Sequence, residues 1–579
     1  MTTLVASEPR PAAAGPAAPP RSGEGPPRRV LALFLVLLVA TDFSGLLHIY
    51  GLGWLYSENL FLGLGWTMVL IAGLLLGKPR LRPLQAPGAL ALLATGATAA
   101  LAAGYLLRAL SQPPGWVAQD PTRDTSPGGL LSLAALQVAA VAAVPLAAIG
   151  IAYARREGLR RLALGTAAAL LWLLSLITLL YDAHVGARAP DTWAVVIGAG
   201  VPTVLLGAGL LAGAVGLARM SPTRFLAAAI GAGLALRLLG LLLIPLTIRL
   251  GDMLPLIGMA TDRLLQGQDP YIIYQMPWEL PLTYWPLTVL SYIPAALAGV
   301  DARLINLLVG PAIGALLLWA GGRQGPCWAA PAFGLLYLTP TMFQWDLSTA
   351  APPYWGWIAV AFALTVVSAR RRANWWPPGA GVGAAMAAAP LALPFLPALG
   401  ILWLQNGRRP ALRRVLAAGA VLALIVGPFV LWDPAGFWNG AVGWFNDLDQ
   451  LPLLKWQTDR SWAFEIGLTG PLWQAGLQGW LKPVQVILLG SIFLLGSWQR
   501  AVRTPEAALR WGAASYLLFM VTNPVIWPYL YMPALLAVVF ALLPPPRCPR
   551  GLKAVAGPRG CGRAPAPGYS SSRTPPATR

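Results

Sequence analysis

Five carboxylates, Asp252, Asp262, Asp269, Glu279 and Asp301, stand in the polar stretch 249–303. They alternate with ring-bearing residues: Pro270, Tyr271, Pro277, Trp278, Pro281, Tyr284, Trp285 and Pro286. A carboxylate held beside a hydroxyl can take its proton as the oxygen attacks, which is general-base chemistry. The same groups can also hold a cation, pair with a base or simply be solvated. Their setting narrows the choice, because an apolar run over 224–248 leads directly into them. Acids next to a bilayer are costly unless solvated, paired or used. Asp252 stands where the chain leaves that run. Read without function, it is a helix-end acid in water, or the partner of Arg249 three residues back.

The elements around the stretch are apolar helices. Of the 579 residues, 57% are hydrophobic and 11% charged, a balance foreign to soluble domains. Runs long enough to cross a bilayer recur from Val30 to Leu543. The short alternating segments of a β-barrel are absent. The expected fold is therefore an all-α, polytopic helical membrane protein with about 14–16 transmembrane helices. The net charge of +20 sits mostly in short loops and tails, where Lys/Arg excess marks the cytoplasmic side, so no nucleic-acid partner is expected. Cys327, Cys548 and Cys561 have no metal-ligand spacing, and His48 and His184 are the only histidines. A multi-His site is thereby excluded. No cofactor is identified, and a carboxylate-bound divalent metal stays open.

The expected organisation begins with a disordered cytoplasmic tail (1–29), followed by an N-terminal transmembrane bundle (30–220). A transmembrane region (221–545) then carries two external loops, 249–303 and 433–483. The basic tail 546–579 has seven Lys/Arg and no acid; it is Pro/Gly/Ser-rich, expected to be disordered, and able to touch anionic lipid. Arg155, Arg156, Arg370, Arg408 and Arg409 fall inside on this scheme. Apart from Glu8, Glu24, Glu157, Glu506 and the intraspan Asp42, the 21 acids fall in or beside outside segments. The expected location is the plasma (inner) membrane, with both termini cytoplasmic.

Within the first loop, Met253, Leu254, Ile257, Leu264 and Leu265 recur at helical spacing, which predicts an interfacial helix ended by Gly267. Asp269-Pro270-Tyr271 is a turn. Residues 282–300 are expected to lie along the external interface, with Trp285 and Tyr292 at headgroup level. Pro390 and Pro394 break the run 378–404 into a hairpin or a kinked helix. The second loop concentrates tryptophans (Trp438, Trp444, Trp456, Trp462, Trp473, Trp480), which serve as membrane anchors or as platforms for sugar rings.

The order of motifs resembles the GT-C membrane glycosyltransferases, closest to the polyprenol-phosphate-mannose-dependent branch of glycosyltransferase family 87. The resemblance rests on Asp252 just past a span, Leu264-Leu265-Gln266-Gly267-Gln268-Asp269-Pro270-Tyr271, Tyr284-Trp285-Pro286-Leu287, and Asp301, Arg303 and Asn306 in a D-x-R-x-x-N pattern. A late segment, Asn523-Pro524-Val525-Ile526-Trp527-Pro528-Tyr529, fits as well. Together these cover about residues 224–545. Two departures stand out. The acidic loop follows the first span in that family, whereas about six more precede it here. A frequent Lys-Pro pair appears as Ala389-Pro390.

The resemblance implies an integral-membrane hexosyltransferase of the cell envelope. It would move a hexose, expected to be mannose, from a polyprenyl-phosphate donor to a glycan, lipid or protein acceptor on the extracytoplasmic face. Asp252 is the expected general base by matched position. Asp262 is a weaker alternative, more at home solvated on its helix, and Asp269 is a turn former. Asp262, Asp269, Tyr271 and Tyr284 form the substrate-binding set of this loop. Arg303, Lys455 and Arg460 are candidate grips on the departing phosphate, each equally readable as a headgroup anchor or ion-pair partner. Asp346, expected on an external turn, is a candidate for acceptor hydroxyls, or else a solvated cap. Asp42 receives no role. The alternative from another class is a multi-span transporter or flippase for a lipid-linked or small polar solute, which would place polar groups inside many spans. A scaffold without activity is a third reading.

Overall fold

The computed structural model describes residues 28–49, 58–76, 164–176, 178–179, 221–246, 248, 251–276, 279–322, 328–371, 376–444, 468–469, 472, 475–523 and 527–544. Helix accounts for 82% and strand for 2%, so the all-α class holds. Of the expected segments, Lys455, Arg460, three of the six tryptophans of the second loop (Trp456, Trp462 and Trp473), residues 1–27 and the tail 546–579 lie outside the described residues.

The helices begin where proline and capping residues place them. Pro occupies the first turn of α4 (Pro222–Leu243), α6 (Pro286–Ala298), α9 (Pro340–Ser348) and α16 (Pro505–Met520), where its missing N–H costs nothing. Ser221 Oγ accepts from Arg224 N at 3.3 Å, Thr339 Oγ1 from Met342 N at 3.3 Å and Thr504 Oγ1 from Ala507 N at 3.2 Å. These hydroxyls satisfy donors that a helix start leaves open. Before α4 come α1 (Arg28–Ile49), α2 (Glu58–Leu76) and α3 (Leu164–Leu176). After α4 come α5 (Met253–Leu265), the two-stranded antiparallel hairpin β1 (Ile273–Gln275) and β2 (Glu279–Pro281), then α6. Both strands are edges of a two-stranded sheet, a position that tolerates Pro281 opposite Ile273.

The chain continues through α7 (Arg303–Gly321), α8 (Ala329–Tyr337), α9 and α10 (Pro352–Arg371). Next come α11 (Pro377–Ala388), a 3-10 turn over Pro390–Phe395 and α12 (Leu396–Gln405). The run broken by Pro390 and Pro394 is thus a helix, a tight turn and a second helix. Then follow α13 (Arg408–Trp432), the one-turn α14 (Pro434–Phe437), α15 (Leu481–Trp498), α16 and α17 (Met532–Ala541). Among the described residues, α4, α7, α10, α13 and α15 are long and apolar enough to cross a membrane. Leu424 and Leu431 on α13, and Val486 and Trp498 on α15, face outward, a surface suited to lipid rather than water.

The core sits between α10, α16 and α17, where Phe362, Phe395, Tyr516 and Phe540 pack ring against ring. α1 packs on α9 and α17, and α2 on α16, so N-terminal helices meet C-terminal ones. α11 and α13 approach with almost no space between backbones. A Cβ on Gly379 or Gly383 would lie 2.0 Å from Arg414 O or 2.4 Å from Ala418 O. Small residues at such crossings let helices meet backbone to backbone.

Candidate active site

The loop between α4 and α6 is held by its own polar groups. Gly267 takes φ +71° and ends α5, a conformation glycine adopts without strain. Asp269 Oδ1 accepts from Tyr271 N at 3.0 Å, the Asx turn that the sequence predicts, and Arg263 Nε donates to Asp269 O at 2.9 Å. Tyr271 is buried, and its hydroxyl donates to Tyr284 O at 2.9 Å. Its ring meets Phe437 edge-on at 5.0 Å, and Trp285 Nε1 donates to Ala441 O at 3.2 Å. A Cβ on Gly440 would lie 2.6 Å from Leu282 O. The start of the second loop therefore packs directly on the first, from residues more than 150 positions apart in sequence.

This junction borders a cavity of about 410 Å³. Its wall takes Met253, Thr283, Tyr284 and Trp285 from the first loop, and Ala441 and Val442 from the second. Tyr354 comes from α10, Ala389 to Leu391 from the broken hairpin, Lys482 from the first turn of α15, and Asn523, Tyr529 and Leu530 from the late segment. The wall is mostly apolar with a few convergent polar groups, the usual make-up of a small-molecule site. Asp252 immediately precedes Met253 of the wall and is half-buried. It occupies the N-cap position of α5, and its carboxylate makes no cap bond. Burial first, then Tyr529 and the Asp252 charge, hold the Tyr284 hydroxyl well above the ordinary tyrosine range. Tyr284 keeps a little exposure to the cavity while dense packing surrounds the rest of it.

The other expected site residues divide. Asp262 is exposed on α5, as its solvated reading requires. Asp269 shapes the turn; burial raises its carboxyl, as does Asp433 facing it from the second loop. Tyr271 is a structural post rather than part of the cavity wall. Arg303 is 3% exposed and fully engaged: Nε and Nη2 grip Asp301 at 3.0 and 2.6 Å, and Nη1 donates to Ile244 O at 2.6 Å. Burial pushes the Asp301 carboxyl up, but the hydrogen bonds and charge of Arg303 outweigh it and hold it below the ordinary carboxylate range. Arg303 ties the end of α4 to the start of α7 and is not part of the cavity wall.

Two expectations need correction. Asp346 is not on an external turn but buried on α9, where Oδ2 accepts from Arg237 Nε at 2.5 Å. A carboxylate among apolar helices needs a counter-charge, and Arg237 in the middle of α4 supplies it. Tyr292 is not at headgroup level; it is 2% exposed and donates to Asn306 Oδ1 at 2.5 Å. Sequence reasoning also missed Lys482. It is the cationic side chain of the cavity wall, on a helix that adjoins the hairpin carrying Ala389-Pro390. A lone lysine opening an apolar helix was the available signal. Among the described residues no group of three or more His, Cys, Asp or Glu side chains is placed to hold a metal.

Comparison with protein-family models, with curated proteins and with solved structures finds no match.

Proposed function

We propose that the chain is a polytopic membrane hexosyltransferase of the GT-C type, using a polyprenyl-phosphate sugar, with Asp252 as general base. The observation that carries this reading is Asp252 at the edge of a cavity walled by tyrosines, tryptophan, asparagine and one lysine. The acceptor O–H gives its proton to the Asp252 carboxylate as its oxygen attacks the anomeric carbon. The bond from that carbon to the phosphate oxygen breaks, and polyprenyl phosphate leaves with the electron pair. Lys482 offers the charge that stabilises the departing phosphate, a role the sequence had spread over Arg303, Lys455 and Arg460. Trp285 and Tyr284 offer ring faces and a hydroxyl to the sugar, and Leu391 and Leu530 an apolar wall to the lipid.

The test is sugar transfer from radiolabelled polyprenyl-phosphate mannose in membranes holding wild type or Asp252→Asn. Loss of a base is expected to cost about 10²–10⁴-fold in rate; unchanged transfer by the variant removes Asp252 from the role. A transporter draws support from one observation, the charged pair buried between α4 and α9, since such groups often line solute paths. Solute flux in liposomes, with no transfer from any lipid-phosphate donor, would favour it.

A further inference from the structure

We infer that the buried Arg237–Asp346 pair, which the transfer step does not use, positions Asp252 through the C-terminal turn of α9. The inference rests on Asp252 being the base. Arg237 is fully buried and committed on every side. Besides the 2.5 Å contact to Asp346, Nη1 donates to Gly233 O at 3.1 Å and Nη2 to Tyr337 O at 3.0 Å. Its guanidinium carbon lies 3.8 Å from the Tyr337 ring centre. Asp346 is thereby fixed relative to α4 and α8 together.

The same turn of α9 is gripped from the other side. Asn306 Nδ2 donates to Asp346 O at 2.9 Å and to Thr349 O at 2.8 Å. Between those two anchored residues lies Ser348, and its carbonyl oxygen is the seat of Gly251. A Cβ on Gly251 would fall 2.5 Å from Ser348 O, so the backbone one residue before Asp252 rests directly on this oxygen. Asn306 Oδ1 also receives the Tyr292 hydroxyl, and Tyr292 belongs to α6, the helix that begins beside Tyr284 and Trp285. One turn of α9 thus sets both the base and part of the cavity wall.

Charge suits this task better than apolar packing. Apolar side chains of similar volume can replace a buried ion pair with little loss of stability. They do not fix the rotation of a short helix, and a slip of one residue turns a helix by about 100°. The pair specifies which way α9 faces, and so where Ser348 O stands.

The test uses the full chain, purified in nanodiscs, with Arg237→Met/Asp346→Leu as a neutral double variant, Asp346→Leu alone, and Arg237→Lys as the conservative change. Carbodiimide labelling read by mass spectrometry follows Asp252 against the exposed Asp262 on the same helix. The double variant is expected to melt near wild type while its Asp252-to-Asp262 labelling ratio shifts. In transfer from polyprenyl-phosphate mannose its kcat is expected to fall about 100-fold, the cost of roughly 1 Å of misplacement, with KM little changed; Arg237→Lys recovers most of both. An unchanged labelling ratio overturns the inference whether or not wild type transfers sugar. So does an equal rise at both carboxylates, or a double variant that fails to fold, since each marks a merely structural pair. A shifted ratio in a protein that transfers nothing sinks the proposed activity and leaves the positioning intact.

Discussion

Substituting Gly251 by alanine is the smallest change that should disable the site without touching its chemistry. The added Cβ meets Ser348 O at 2.5 Å, where ordinary contacts begin at 3.4 Å. Relief therefore requires an opening of about 0.9 Å by this difference. Ser348 cannot recede easily, because Asn306 holds the carbonyls of Asp346 and Thr349 on either side of it. The movement falls instead on Gly251 and its neighbour Asp252. A displacement near 1 Å costs on the order of 100-fold in rate when it falls on a reacting group. Overpacking of this kind costs about 1–3 kcal/mol in stability.

Gly258, on α5, supplies the control. A Cβ there meets nothing within 4 Å, so alanine gains helix propensity, roughly 0.5–1 kcal/mol. The two glycine-to-alanine changes should move stability in opposite directions. Only Gly251→Ala should lower kcat for transfer from polyprenyl-phosphate mannose. Thermal unfolding in nanodiscs and initial rates with the radiolabelled donor decide it. Equal behaviour of the two variants, or a wild-type kcat in Gly251→Ala, would refute the claim that Ser348 O seats the base.

Lys482→Met should lower kcat/KM for the lipid-phosphate donor by about 10- to 100-fold, the worth of a hydrogen bond to a charged group, and Lys482→Arg should retain much of it; equal rates for both remove the lysine from phosphate binding. Asp301 and Asp269 should titrate stability with opposite signs. The Asp301 carboxyl is held below its ordinary 3.8, so its contribution is whole above that pH and fades as pH falls through the lower folded value; Asp301→Asn should cost at most about 1 kcal/mol at neutral pH and nothing in strong acid. The Asp269 carboxyl is held above 3.8, so its ionisation costs stability as pH rises through that value; Asp269→Asn should melt no lower than wild type at neutral pH and match it in acid. Gly383→Ala should destabilise the α11–α13 crossing by about 1–3 kcal/mol, read as lowered resistance to SDS unfolding.

Much of the loop was legible because its signals are local. The helix over Met253–Leu265, its stop at Gly267 and the Asx turn at Asp269 depend on spacing and turn chemistry within a few residues. The break at Pro390 is likewise local, since a proline within a helix removes a hydrogen bond wherever the helix packs. The cavity was not legible. Its wall joins residues from Met253 to Leu530, and no periodicity tells which distant turns share a surface. Asp346 shows the same limit more sharply. With the polar Gln344, Ser348 and Thr349 within three residues of it, it reads as a solvated turn until its partner is known.

That partner carried a signal of its own. Arg237 interrupts an otherwise apolar run, and an arginine there must find a carboxylate, carbonyls or water. The structure gives it a carboxylate, two carbonyls and an aromatic face. Asp42 on α1 meets Thr341 near the opposite end of the same short helix. Arg237 and Asp42 thus both reach α9, which has only nine residues and by length alone is marginal as an independent helix. These two contacts orient this element. On the proposed function, a short helix of fixed rotation ends in the Ser348 carbonyl that seats Gly251, one residue before the proposed base.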